Sequence, residues 1–234
     1  MIYNNLRKIE ENIIEACNKA GRNRDEVTLI AVSKTQPIDL IEEALEAGIV
    51  NFGENKVQEL VSKIEVLNED KHKDLKWHMI GHLQRNKVKY IVDKVSLIHS
   101  VDSIRLAKQI EKEARKRGVT VDVLIEVNIA GDPDKFGFKE EEVYSATLEI
   151  SRLEHINIKG LMTVAPYVTD PEENRLYFSK MKQLSVDIKA KNIDNVIMDT
   201  LSMGMTGDYT VAIEEGATMV RIGTGIFGER DYSL

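Results

Sequence analysis

The feature of this sequence that most constrains its fold is a regular alternation of eight short apolar runs with longer segments of helical spacing. The runs predict strands at residues 28–33, 50–52, 77–80, 96–99, 121–129, 158–163, 195–199 and 218–222. An opening amphipathic stretch, with Ile9, Ile13 and Ala16 on one face, predicts an additional helix before the first strand. An open doubly wound sheet more often has about five to seven strands, whereas eight βα repeats are typical of a closed barrel of about 250 residues. The predicted fold class is therefore α/β, a single (β/α)8 TIM-type barrel with an extra N-terminal helix, in one domain spanning residues 1–234.

The composition agrees with one compact domain. The chain is 42% hydrophobic and 30% charged, close to the averages for globular proteins. Its most polar stretch, residues 65–76, is too short to separate two domains and predicts a solvated helix end. The net charge of −7 argues against a surface that neutralises nucleic acid or an anionic membrane, although it leaves room for a local basic patch.

The sequence favours a cytoplasmic protein. No apolar run approaches the roughly 20 residues that a membrane-spanning helix needs, and the opening residues lack the basic-then-apolar order of a signal peptide. The single cysteine, Cys17, cannot form an internal disulfide, and its helix-patterned surroundings favour a buried side chain over a nucleophile.

Chemistry in such a barrel is expected at the carboxyl ends of the strands. Lys34 directly follows the first predicted strand, so its ammonium lies at the mouth of the barrel. Partial burial there would disfavour the charged form and free the amine to attack a carbonyl carbon. The alternative is an exposed edge lysine, and Lys34 taken alone does not decide between the two.

The seventh and eighth predicted strands end in segments rich in glycine and hydroxyl side chains, residues 202–206 and 221–225. Barrels often hold phosphate in these two loops, because glycine lets backbone N–H groups approach an anion and hydroxyls add donors. The alternative is that the glycines only form tight turns. Arg221 interrupts the last apolar run, and a buried arginine needs an acceptor, either from a ligand or from a carboxylate in the core.

Other polar residues give weaker signals. Asn55 follows the second strand, but asparagine is an ordinary turn residue. His78 and His82 have the spacing of a zinc motif without its glutamate, which argues against a metal site. Two polar loops, residues 81–87 and 135–137, are either functional or simply part of the surface.

Six segments in order, LIAVSKTQP, NFGENKVQEL, WHMIGHLQRNK, VNIAGDPDKFGF, GLMTVAP and LSMGMTGDYTVAIEEGATMVRIGTGIFGER, resemble the pyridoxal phosphate homeostasis protein family. The resemblance covers about residues 2–230. It implies a barrel similar to the N-terminal domain of alanine racemases, with pyridoxal 5′-phosphate (PLP) as the cofactor. Thr206 stands where the family frequently has serine, and either residue donates a hydroxyl.

The resemblance also implies residue roles. Lys34 would form the Schiff base with PLP, Arg221 would face the pyridine nitrogen and Asn55 would lie beside the cofactor. The cofactor phosphate would be held by residues of the last two loops, namely Ser202, Gly204, Gly223 and Thr224. A permanent cation at the pyridine nitrogen disfavours its protonation, which weakens the ring as an electron sink.

The favoured hypothesis is a PLP-binding protein that stores, buffers or delivers the cofactor without committed catalysis. Twelve residues follow Ile222, so we expect no second domain of the kind that supplies the opposite acid in racemases. The main alternative is a slow amino-acid racemase with Tyr209 as that acid, and a Schiff-base aldolase is remote. PLP and PLP-dependent apoenzymes are the expected partners; nucleic acid and membrane are not, and a monomer is expected.

Overall fold

A computed structural model describes residues 1–67 and 72–228 of the chain. Its centre is a closed barrel of parallel strands in the order β1 to β8. The strands are β1 (Thr28–Val32), β2 (Asn51–Glu54), β3 (Lys76–Met79), β4 (Leu97–Val101), β5 (Val121–Glu126), β6 (Ile156–Met162), β7 (Val196–Met205) and β8 (Met219–Ile222). The predicted barrel is thus confirmed.

Helices surround the barrel. The α-helices are α1 (Ile2–Lys19), α2 (Ile38–Glu46), α3 (Val57–Val66), α4 (Ile104–Arg117), α5 (Val143–Ile150), α6 (Arg175–Lys189), α7 (Tyr209–Glu214) and α8 (Thr224–Phe227). A 3₁₀ helix, Arg85–Tyr90, takes the place of an α-helix after β3. Helix α3 ends at Val66, and part of the polar stretch predicted as its solvated end, residues 68–71, lies outside the described residues.

Side chains alternate between the two faces of each strand, as strand geometry requires. In β5, Val123 and Ile125 face outward and join the large apolar core beneath the helices. Leu124 faces inward and packs with Leu97 and Met162 in a small separate cluster. Glu126 continues the inward row at the carboxyl end of the strand. The outward faces therefore hold the fold together, while the inward faces are free to carry polar groups.

The predicted N-terminal helix is confirmed as α1, which packs against α2, α7 and α8. Its apolar face buries Ile9, Ile13 and Cys17, and burial raises the pKa of the Cys17 thiol. The side chain of Asn5 donates a hydrogen bond of 2.8 Å to the carbonyl of Ile226 in α8. Helix α1 thus supports α8, the short helix that follows β8. No helix in the two described ranges is long and apolar enough to cross a membrane.

Candidate functional site

The turn after β1 carries Lys34 at the mouth of the barrel. The chain leaves the strand at Ser33, and Thr35 has a positive φ of 65°, which is uncommon outside glycine and asparagine. The amide of Gln36 bonds the carbonyl of Ser33 at 2.9 Å and closes the turn. Lys34 is half-buried at its tip. The sequence prediction that this lysine belongs to the mouth is consistent with the turn's position.

A buried ion pair lies behind this turn, on the side of α3. Lys63 Nζ donates to Glu54 Oε1, to Glu59 Oε1 and to the carbonyl of Ser33, each at 2.7 Å. The hydroxyl of Ser33 also donates to Glu54 Oε1, at 2.6 Å. Burial raises the pKa of Glu54, against the opposing effect of the hydrogen bonds from Lys63 and Ser33. These contacts fix the backbone immediately before Lys34.

Sequence reasoning did not single out Glu54 or Lys63. The available signal was a charge in an otherwise buried position of each element: Glu54 ends a short buried strand, and Lys63 lies three residues after Leu60 on the inner face of α3. Such positions call for a buried partner, because an unpaired charge there is costly.

Asn55 follows β2 beside the turn of Lys34. Its side-chain Oδ1 is buried and has no hydrogen-bond partner among the described residues. A side chain at Gly81 would place Cβ 2.5 Å from the carbonyl oxygen of Asn55, so glycine is required for the loop after β3 to lie against Asn55. Asn55 is thus held at the mouth with a buried acceptor that is open to a donor from a ligand.

Arg221 lies inside the barrel on β8. Its Nη1 donates to Ser202 Oγ at 2.6 Å, and its Nη2 donates to the carbonyl of Thr163 at 2.8 Å. Burial lowers the pKa of the guanidinium to about 10, with opposing effects from Glu126 and Asp208, so Arg221 remains a cation at neutral pH. A guanidinium has five N–H donors, and the two bonded acceptors are neutral. This cation suits a ligand that offers a further acceptor.

Glu126 on β5 is a second interior charge that the sequence analysis missed. Its Oε2 is buried without a hydrogen-bond partner in the described part of the chain. Burial, followed by the nearby Asp102 carboxylate, raises the pKa of Glu126 to about 7, whereas Arg221 lowers it. The signal was present in the sequence as an acid between apolar neighbours, Ile125 and Val127, within the apolar run 121–129.

The loops after β7 and β8 meet, as the phosphate prediction requires. The hydroxyls of Thr206 and Thr224 lie 3.3 Å apart, and the amide of Gly225 lies 3.4 Å from Thr206 Oγ1. An added Cβ at Gly223 would lie 3.4 Å from the carbonyl oxygen of Val32, so this loop also borders the end of β1. We call the loop residues Thr206, Gly223, Thr224 and Gly225 the hydroxyl cleft.

Two residues predicted for the phosphate have other contacts. Gly204 has a φ of 91°, and a Cβ there would lie 2.6 Å from that of Ala212, so glycine is needed for the packing of α7. Ser202 is fully buried inside the barrel, where its hydroxyl contacts His99 Nδ1 at 2.9 Å as well as Arg221. The structure therefore groups Ser202 with Arg221 and His99.

The two histidines with zinc-motif spacing do not converge. His78 lies in the barrel interior, where its Nδ1 is 3.0 Å from His99 Nε2. His82 lies at the surface, 2.9 Å from Asp102 through Nδ1. Its ring stacks on Phe136 with centroids 3.8 Å apart, which joins the loops 81–87 and 135–137. An open cavity of about 900 Å³ adjoins the first of these loops, and its lining includes His82, Asp102 and Arg105, a different set from the residues around Arg221.

Tyr209 is not placed as the racemase alternative requires. It lies at the start of α7 and is buried in the outer helical layer. Its hydroxyl accepts a hydrogen bond of 2.8 Å from Asn12 of α1, and burial raises its pKa. A hydroxyl held between two outer helices is not an acid opposite Lys34, so this expectation is wrong.

The chain is similar to known proteins in sequence and in fold. Residues 4–231 match the family described as alanine racemase, N-terminal domain. The pyridoxal phosphate homeostasis protein of Aquifex aeolicus is 46% identical over 230 residues, covering 97% of each chain. PipY of Synechococcus elongatus, in a structure with PLP bound, has a TM-score of 0.85 at 32% identity and covers 97% of this chain and 100% of that chain. Alanine racemase of Clostridium difficile has a TM-score of 0.71 at 15% identity, over 98% of this chain and 58% of that one, which shows a shared fold.

Proposed function

Since this chain belongs to the pyridoxal phosphate homeostasis protein family, whose barrel is that of the alanine racemase N-terminal domain, we propose that it binds PLP and stores, buffers or delivers it. The observation that carries the proposal is Arg221, a buried cation whose bonded acceptors are both neutral. The uncharged pyridine nitrogen of PLP offers the further acceptor that such a group lacks. PLP bound to the similar PipY supports the same ligand.

We assign the other residues from their positions. PLP supplies an aldehyde with which a lysine amine forms a reversible Schiff base, and we assign this amine to Lys34, held by the anchored turn after β1. Gly223 and Thr224 of the hydroxyl cleft bind the phosphate, with the backbone of Gly204 at the end of the adjoining strand β7. Asn55 offers its buried acceptor beside the cofactor. Ser202 contributes by binding Arg221.

The same arrangement favours binding over committed catalysis. Arg221 keeps its positive charge at neutral pH, and a cation at the pyridine nitrogen opposes the protonation that makes PLP an electron sink. Tyr209, the residue considered as the second acid of a two-base racemase, instead bonds Asn12 in the outer layer. We therefore propose a carrier rather than an enzyme.

The proposed carrier role extends to the compartment, the oligomeric state and the partners of the protein. We propose that it acts in the cytoplasm as a monomer and passes PLP to PLP-dependent apoenzymes. The acidic net charge of −7 and the single buried cysteine support this proposal. Light scattering on the purified protein, with and without PLP, tests the monomer; a dimer at micromolar concentration would overturn it.

The first experiment tests the cofactor and its lysine together. PLP is added to purified protein, the visible absorption band is recorded, the adduct is reduced with borohydride and the modified peptide is identified by mass spectrometry. We expect one pyridoxyl group on Lys34. The variant Lys34→Ala should lose the band, whereas Lys56→Ala, which removes an exposed lysine before α3, should retain it. Adducts scattered over surface lysines, or an unchanged band in Lys34→Ala, would overturn the proposal.

A further inference from the structure

A row of polar side chains crosses the barrel interior from the start of β2 to β8. Asn51 Oδ1 lies 3.1 Å from His78 Nε2, and His78 Nδ1 lies 3.0 Å from His99 Nε2. His99 Nδ1 lies 2.9 Å from Ser202 Oγ, which accepts from Arg221 Nη1 at 2.6 Å. We call these five residues the interior row. It links one end of the barrel to the cation that we assign to the cofactor ring.

The two ends of the interior row set the direction of every hydrogen bond in it. The amide oxygen of Asn51 only accepts, so His78 donates through Nε2–H and its Nδ1 carries a lone pair. That lone pair accepts from His99 Nε2–H, which leaves His99 Nδ1 to accept the proton of Ser202. The oxygen of Ser202 then turns its lone pairs to Arg221, which only donates.

This arrangement requires both imidazoles to be neutral. A second proton on His99 would remove the acceptor for Ser202, and a second proton on His78 would set two N–H groups against each other. Burial lowers the pKa of His78 to about 4, and it holds the pKa of His99 well below its usual value. The charges that face the pair are Lys76, near His78, and Arg221, near His99; both oppose further positive charge.

We propose that His78 and His99, as neutral Nε2–H tautomers, are positioning residues that fix the Ser202 hydroxyl and through it the orientation of Arg221 toward bound PLP. The inference deepens the proposed function and depends on it for the ligand. Partners of this kind act by locking the group that touches the ligand; around metal sites their loss typically weakens binding by about 10- to 100-fold, and we expect an effect of that order here. Without the acceptor on His99, the Ser202 proton is free to rotate toward Arg221 and disturb the bond that holds it.

The tautomers are measured on protein without PLP. Nitrogen-15 chemical shifts of labelled histidine distinguish the two neutral forms from the cation, and the five histidines are few enough to assign with His78→Gln and His99→Gln variants. We expect His78 and His99 to remain neutral Nε2–H tautomers from about pH 5.5 to about pH 8. An Nδ1–H tautomer for either ring, or titration within that range, would overturn the inference.

Affinity and spectrum test the consequence for the ligand. His99→Leu removes the acceptor and should weaken PLP binding at least about tenfold and shift the visible band. His99→Gln offers both an acceptor and a donor without charge and should remain within about threefold of the wild type. The control is Ser100→Ala on the same strand, because Ser100 is buried and its hydroxyl has no partner among the described residues.

The outcomes separate the two proposals. Wild-type protein that forms no PLP adduct contradicts the proposed function, while the tautomer measurement still decides the direction of the interior row. Folded His99→Leu protein with wild-type affinity and band overturns the positioning role even where PLP binds. Equal losses in His99→Gln and His99→Leu would also overturn it, because they would show that packing alone matters. If His99→Leu does not fold, the tautomer measurement on wild-type protein still tests the inference.

Discussion

Lys63 Nζ lies 2.7 Å from Glu54 Oε1, and both groups are buried behind the turn that carries Lys34. A buried ion pair is weak evidence for stability as a whole, but the loss of one partner leaves the other charge uncompensated. In this barrel the pair has a definite position, since Lys63 also bonds the carbonyl of Ser33 next to Lys34. It therefore connects the stability of β2 and α3 to the geometry of the candidate site.

We expect Lys63→Met to destabilise the protein by about 3 to 5 kcal/mol, because Glu54 would lose its buried counter-ion. Denaturant unfolding at neutral pH measures this change. The double variant Lys63→Met/Glu54→Gln should recover part of the loss. The matched control is Lys108→Met, since Lys108 makes an equally short but exposed pair with Glu149 and should cost only about 0 to 1 kcal/mol. Equal effects of the two single variants would contradict the prediction.

Glu126 should make stability fall as pH rises. Its pKa is about 7 in the folded protein against an ordinary value of 4.5, so the folded state holds a proton that the unfolded state has released. The penalty is absent below about pH 4.5, grows up to about pH 7 and is constant above it, reaching at most about 3 kcal/mol. Glu126→Gln removes this dependence.

The measurement is unfolding free energy at several pH values for both proteins. We expect the advantage of Glu126→Gln over the wild type to increase from about pH 4.5 to about pH 7 and then to level off. A difference that does not change with pH would show that the Glu126 carboxyl does not titrate in this range.

Gly204→Ala should destabilise the carboxyl end of β7. The residue has a φ of 91°, and the new Cβ would lie 2.6 Å from the Cβ of Ala212. Backbone strain and overpacking each cost about 1 to 3 kcal/mol. Gly207→Ala, in the turn directly after β7, is the control, because no atom beyond its chain neighbours lies within 4 Å of its Cβ position. Thermal unfolding compares the two variants, and a stable Gly204→Ala protein would refute the packing argument.

Thr224→Val should separate phosphate binding from Schiff-base formation. The hydroxyl of Thr224 faces that of Thr206 across the hydroxyl cleft, and a hydrogen bond to a charged group contributes about 1.5 to 3 kcal/mol. We expect affinity for PLP to fall about tenfold or more, while affinity for pyridoxal, which lacks the phosphate, stays the same. Equal losses for both ligands would place the phosphate elsewhere.

The barrel could be predicted because apolar residues recur at a different spacing in strands than in helices. The clearest difference is β7, predicted at 195–199 and observed at Val196–Met205. Its second half carries the inward-facing Thr200 and Ser202, which interrupt the apolar run although they belong to the strand. A prediction based on hydrophobicity alone therefore makes a strand too short when some of its side chains are polar and face the barrel interior.

The sequence was enough to predict those candidate residues whose place at the mouth follows from their position directly after a strand. Lys34, Asn55 and Thr224 each follow a strand, so the fold alone brings them to the mouth. Glu54 and Lys63 were missed because their contact joins a strand to a helix. His78 was considered only together with His82, its neighbour in sequence, whereas its partner in the structure is His99 on the next strand.

The sequence by itself therefore determined the α/β class, the number of strands and the end of the barrel that carries the candidate residues, since periodicity and strand order are local properties of the chain. Only the tertiary structure decided the partners of each buried polar group: Ser202 with Arg221, His99 with His78 and Tyr209 with Asn12. The physical reason is that closure of the barrel excludes water from its interior. Most buried donors and acceptors then bond a group that a neighbouring strand or helix brings within about 3 Å, and a few, such as Asn55 Oδ1 and Glu126 Oε2, have no partner among the described residues.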